Sequence, residues 1–334
     1  LFMVAFSILL MCRVLKYPLA TSLVILLPII IMMAPLHSDL RVSNVNSIQL
    51  GMIALILWLQ NRSEDNRYLF AAGVAIGLLA MFKPNLAPIA LLIAGGWAVR
   101  RQYSRLMVSV AGIATGALSA LLVSSWWMGK ATIWWDWWQV LGRTMSRGSP
   151  GRSAGNYSPM AETSGGMGIG IDLGMNNQFV LALLYSLICL AALWWGRRRE
   201  TADTLPRGTV EDREMLENTA LTAMGCIVAL LASSLVWVHY YLLVIPMVIF
   251  ALRPYCSSRP INLLAVVMLR LIPIFALFCL LDTEIVTLLD GLVSKGDYWA
   301  WASATSAISL FVVGLWQLAY GVRDRREREA APSG

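Results

Sequence analysis

The chain has 334 residues, of which 58% are hydrophobic and 13% charged, where a soluble domain carries about a quarter charged residues. That composition excludes a soluble globular enzyme, a disordered chain and a secreted disulfide scaffold. The formal net charge of +7 needs no nucleic-acid partner, because a Lys/Arg excess on one side of a membrane produces it.

Apolar runs fill almost the whole length. Eleven spans are expected, near 1–12, 18–36, 46–60, 68–82, 85–99, 106–128, 178–195, 218–236, 239–252, 260–281 and 298–320. A full crossing takes about 20 apolar residues, so the shorter runs are read as tilted, broken or extended by polar flanks. Backbone groups in lipid find no water, which leaves helices as the form for these runs. The predicted fold is an all-α polytopic membrane helix bundle over 1–320, with an external loop 129–177 and a basic cytoplasmic tail 321–334. The chain opens at Leu1 inside an apolar run and is read as a piece of a longer protein.

Charge orients the spans. Alternate loops hold 18 of the 26 basic residues: Arg13 and Lys16, Arg62 and Arg67, the trio Arg100, Arg101 and Arg105, five arginines from Arg197 to Arg213, Arg253 and Arg259, and four in the tail. Those loops are assigned to the cytoplasm, the opposite ones to the external side of the cell membrane. Arg270 falls inside a span near Pro273, as an intramembrane charge or beside a break in the helix. Loop 196–217, which mixes Arg with Glu211, Asp212, Glu214 and Glu217, reads as a solvated linker. The segment 129–177 opens on a tryptophan cluster (Trp126, Trp127, Trp134, Trp135, Trp137, Trp138). It is read as an interfacial belt, or as a short amphipathic helix on the outer surface. The five cysteines form no CxxC pair and have no histidine at ligand spacing, so no metal site or disulfide framework is expected.

The polar residues capable of chemistry gather on the external side. The first external loop runs His37, Ser38, Asp39, Leu40, Arg41, Val42, Ser43, Asn44, Val45, Asn46, and Gln49 follows in the next span. The turn Phe82-Lys83-Pro84-Asn85 is too short to carry Lys83 far into water. The third group is Trp237-Val238-His239-Tyr240-Tyr241. Together they suit an external cavity for a sugar carried on phosphate. Lys83 and Arg41 supply charge for the phosphate, and His239 donates to a phosphate or leaving oxygen. Asn44, Asn46, Gln49, Asp39 and Tyr240 suit the sugar or the acceptor, since amides both donate and accept. Simpler readings stand beside each: an interfacial lysine, an aromatic belt, helix-capping asparagines and an exposed Asp39–Arg41 ion pair.

Three segments in this order carry a family resemblance: Leu40 to Asn46, Ala72 to Pro84, and Ser233 to Leu243. They resemble the C-type glycosyltransferases of family 87, the polyprenyl-phosphate-mannose-dependent mannosyltransferases. No acidic cluster for a divalent metal is visible in the sequence, and no cofactor is expected. The resemblance implies an inverting enzyme. It would move a sugar from a polyprenyl phosphate to a lipid or glycan acceptor outside the cytoplasmic membrane. It implies His239 as a catalytic group and a base aspartate ahead of Leu1. Ser43-Asn44-Val45-Asn46 stands where the family commonly has Gly-Gln-Val-Asn. The rival expectation is a lipid-linked sugar flippase or transporter, which would set its charges near the bilayer midplane.

Overall fold

The computed structural model describes residues 1–42, 45–62, 65–146, 175–198, 207–233, 236, 238–253, 267–281 and 295–320. Among these the fold is all helix apart from one isolated bridge between Met33 and Leu281. The helices are α1 (Phe2–Val14), α2 (Leu19–Met32), α3 (Ala34–Arg41), α4 (Asn46–Gln60), α5 (Asn66–Phe82), α6 (Ala87–Val99) and α7 (Tyr103–Met128). They continue with α8 (Ile133–Ser146), α9 (Met175–Arg198), α10 (Arg207–Ala232), α11 (Ile245–Leu252), α12 (Ile272–Phe278) and α13 (Lys295–Tyr320). Four of the helical segments are long and apolar enough to cross a membrane: Tyr103–Met128, Gln178–Arg198, Arg213–Ala232 and Trp301–Ala319. The shorter apolar helices pack with them into one membrane bundle.

Local chemistry sets the boundaries. Asp65 caps α5 by accepting the Arg67 N–H at 2.8 Å. Gly129, in the left-handed conformation at φ 64°, ends α7 and turns the chain onto the surface. There α8 starts, held by Trp134 Nε1 donating to Ser124 Oγ on α7 at 2.6 Å. This is the amphipathic helix expected of the tryptophan cluster. The rest of the loop, 147–174, and the tail 321–334 lie outside the described residues.

The expected span 18–36 is two helices. Met33 is extended, the Ala34 N–H donates to Leu280 O at 3.0 Å, and Pro35 opens α3. A helix therefore replaces much of what reads as the first external loop.

The core runs along α10, whose most apolar window is 100% buried, against 17% for α7. α10 packs on α4, α6, α9, α11 and α13. α7 lies at the edge and buries Ser109, Gly112 and Gly116 against α5. There Gly112 and Gly116 face Gly73 and Gly77. A Cβ on Gly73 would stand 2.6 Å from the Ser109 carbonyl, and one on Gly77 would overlap that of Ile113. Small residues four apart on both helices let the backbones touch, the packing that drives helix association in lipid.

The two ends of the bundle differ. One gathers Glu217, which accepts from Arg100 at 3.4 Å, Arg197 at 3.1 Å and Arg213 at 2.9 Å. Beside it Glu214 pairs with Arg105, and Asn218 accepts from Arg100 at 2.6 Å. Glu214 and Glu217 are buried, so this part of the expected solvated linker is an internal clamp joining α6, α7, α9 and α10. Arg270 lies on a π-helical turn, Val267–Leu271, and donates to the carbonyls of Leu252 and Arg253 at 2.5 and 3.0 Å. It closes the C-terminus of α11, where four carbonyls lack intrahelical donors. The opposite end holds Lys83.

Candidate functional site

Lys83 occupies the turn between α5 and α6, fixed by the short 3-10 turn Pro84–Leu86. Its Nζ donates to Asn46 Oδ1 at 3.0 Å and Gln49 Oε1 at 3.2 Å, both one face along the first turn of α4. The Tyr240 ring covers the ammonium, with the centroid 3.4 Å from Nζ. Two amide oxygens and a π face thus hold one partly buried cation. Burial pulls the Lys83 amine down to about 7, against the pull of the Asp39 carboxylate in the other direction.

Asp39 organises this contact from below. It is buried, accepts from Asn46 Nδ2 at 2.8 Å, and takes Ser47 Oγ at 2.6 Å and the Ser47 N–H at 3.3 Å. It therefore caps α4 from a neighbouring helix and turns the Asn46 carbonyl oxygen toward Lys83. The simpler expectation of an exposed Asp39–Arg41 pair is replaced by this buried arrangement. Arg41 is exposed and has no hydrogen bond or ion pair among the described residues. Asn44 lies outside the described residues. His239 is buried, its ring edge-on to Tyr240 at 4.9 Å between centroids, on the 3-10 turn Val238–Val244 that packs on α3.

Lys83 and Tyr240 also line a cavity of about 380 Å³. Its other polar lining residues are Asn85, Gln178 and Ser233, and Ala229 and Ala232 of α10 join them. Its apolar walls come from α6 (Ala87, Pro88, Leu91) and α9 (Phe179, Ala182, Leu183), and Trp137 and Trp138 of α8 stand over it. Leu91, Phe179 and Leu183 are 38, 46 and 47% exposed. These exposed apolar side chains put part of the wall between α6 and α9 on the outer surface of the bundle. Arg41, Asp39 and His239 are not on its lining.

The residues that sequence reasoning missed are Asn85, Ser233 and Phe179 as cavity lining. Asn85 stood in a quoted turn without a role, and its place two residues after Lys83 is the one signal that could have singled it out. Among the described residues no cluster of His, Cys, Asp or Glu is placed to hold a metal ion. Cys12, Cys189, Cys226 and Cys279 are free and buried.

The fold is thus a helical membrane bundle with a mostly apolar cavity that includes a held cation and amides. The sequence profile of glycosyltransferase family 87 matches residues 1–210. The chain belongs to that family and is a membrane glycosyltransferase. No curated protein and no solved structure matches it.

Proposed function

We propose that this glycosyltransferase takes its sugar from a polyprenyl phosphate, seats the donor phosphate at Lys83 and runs the prenyl chain out between α6 and α9. The cavity carries the reading, because it joins one half-buried cation to an apolar slot open on the lipid-facing side. A soluble nucleotide sugar would need a water-filled mouth and more polar lining. Mannose as the sugar, a lipid or glycan acceptor and the external side of the cytoplasmic membrane come from the family resemblance and the charge pattern.

In the reaction the acceptor oxygen attacks C1 of the sugar from the face opposite the phosphate. The C1–O bond breaks, its electron pair stays on the polyprenyl phosphate, and the acceptor's proton passes to a general base. Asp39 is not assigned that role, since its oxygens hold Asn46 and Ser47. Lys83 offsets the charge that develops on the leaving phosphate. To do so it exchanges its contact with the Tyr240 face for a charge-assisted hydrogen bond, which is the stronger of the two. His239 packs edge-on against Tyr240, the ring that covers the Lys83 ammonium, and so positions it.

The test is transfer from radiolabelled polyprenyl-phosphate mannose by the protein in bilayers. Lys83→Ala is expected to lower kcat/KM for the donor by about 10- to 100-fold, the loss of one hydrogen bond to a charged group. Full transfer by Lys83→Ala would remove the phosphate seat. Movement of the donor across the bilayer without transfer would favour a flippase.

A further inference from the structure

We infer that Asn85 reads the sugar of the donor, as the subsite adjoining the phosphate seat; the inference rests on the polyprenyl-phosphate reading above. Asn85 and Lys83 are two residues apart in one rigid turn, and both line the cavity. The Asn85 amide is oriented by the protein. Its Nδ2 donates to Ser233 Oγ at 3.3 Å, and Ser233 Oγ donates in turn to Ala229 O at 2.6 Å. Its Oδ1 is buried and has no hydrogen-bond partner. A buried acceptor left without a donor costs about 1–3 kcal/mol, so this atom is held ready for an O–H or N–H that arrives with a ligand.

The chemistry of the donor decides which part supplies it. An ionised phosphodiester offers acceptors and no donor. A prenyl chain offers neither. The sugar is the one part of the molecule that carries O–H groups, and it is joined directly to the phosphate. With the phosphate at Lys83 and the chain in the slot between α6 and α9, the sugar hydroxyl falls to Asn85, the unpartnered amide oxygen two residues on in the same turn, rather than to Gln178, the other amide on the lining, which is already engaged. The indoles of Trp137 and Trp138 on the same lining supply the apolar faces on which a pyranose ring stacks. Lys83 therefore recognises any polyprenyl phosphate, while Asn85 separates the glycosylated donor from the bare lipid phosphate that is left after transfer.

The experiment compares two ligands on wild type, Lys83→Ala and Asn85→Ala in bilayers. One is the polyprenyl-phosphate sugar, read by its KM; the other is sugar-free polyprenyl phosphate, read by its inhibition constant. Asn85→Ala is expected to raise the donor KM about 10-fold and to leave the inhibition constant within about 2-fold. Lys83→Ala should weaken both ligands. A set of monodeoxy donors adds a readout that loss of folding would not move, since the donor lacking the hydroxyl that reaches Asn85 becomes insensitive to Asn85→Ala. An Asn85→Ala protein that changes both ligands alike, or neither, overturns the sugar subsite. A Lys83→Ala protein that changes neither ligand overturns the donor reading and this inference with it.

Discussion

At the scale of single residues, the site depends on a cation kept at the margin of its charge. Lys83 is partly buried, its neighbours are amides and an aromatic face, and the carboxylate that favours its charged form is Asp39. With its amine near 7, the free enzyme carries the charge below that pH and loses it above. Under the proposed reading the donor is a phosphodiester, a single anion throughout, so the loss of donor capture above about pH 7 follows Lys83. The kcat/KM for donor should be flat below about pH 7 and fall up to tenfold per unit above it. Because Asp39 raises the amine, Asp39→Asn should move that fall to lower pH. Lys83→Arg, always charged, should flatten it. A wild-type profile level to pH 9, or an Asp39→Asn shift toward higher pH, would refute the assignment. Lys83, Asn46 and Gln49 were legible in the sequence because each interrupts an apolar run, where polarity is costly. Tyr240 over Lys83 and the orphaned oxygen of Asn85 were not, since both arise from contacts between residues more than 140 apart or from geometry within a turn.

At the scale of helices, the expected spans match where a long apolar run stands alone, as with α7 and α9. They fail at interruptions. The run 18–36 carries Pro28 and Pro35 and breaks at Met33, a point that hydropathy passes over. The expected span opens at residue 218, whereas α10 begins at Arg207. Its Glu214 and Glu217 look like loop residues because their arginine partners lie on α6, α7 and α9. The α5–α7 contact was present in the sequence as two pairs of glycines spaced by four, a signal that a search for charge and polarity does not see. It gives a clear expectation. Gly77→Leu sets a side chain where the Ile113 carbonyl already lies, and α7 has little else to hold it. The protein should lose about 1–3 kcal/mol by overpacking, seen as a lower Tm in detergent. A neighbouring outward change such as Leu118→Ala, at a residue 57% exposed, should leave Tm within about a degree or two. Equal effects of the two would mean that the glycine seam does not hold α7.

At the scale of the whole molecule, the bundle is polarised along its long axis, and the polarity bears on where the chemistry happens. The end with Arg100, Arg105, Arg197 and Arg213 concentrates fixed positive charge clamped on Glu214 and Glu217. The Lys83 end holds one partly buried cation with its amides, the exposed Arg41, the Lys130–Asp136 pair and the tryptophans of α8. Lys/Arg-rich loops stay on the cytoplasmic side during insertion, which would put the Lys83 cavity on the outside and its reaction beyond the reach of cytoplasmic nucleotide sugars. Surface labelling tests this orientation. Cys12, Cys189, Cys226 and Cys279 are buried, so replacing Cys256 by Ser gives a background of low reactivity. Val42, 57% exposed at the Lys83 end, and Tyr103, 62% exposed at the other, then serve as single-cysteine reporters. With a membrane-impermeant maleimide on intact cells, Val42→Cys should label at once and Tyr103→Cys only after the membrane is opened. The reverse order would turn the bundle over. The donor would then have to be met on the cytoplasmic face, and the lipid-phosphate reading would lose the side of the membrane it requires.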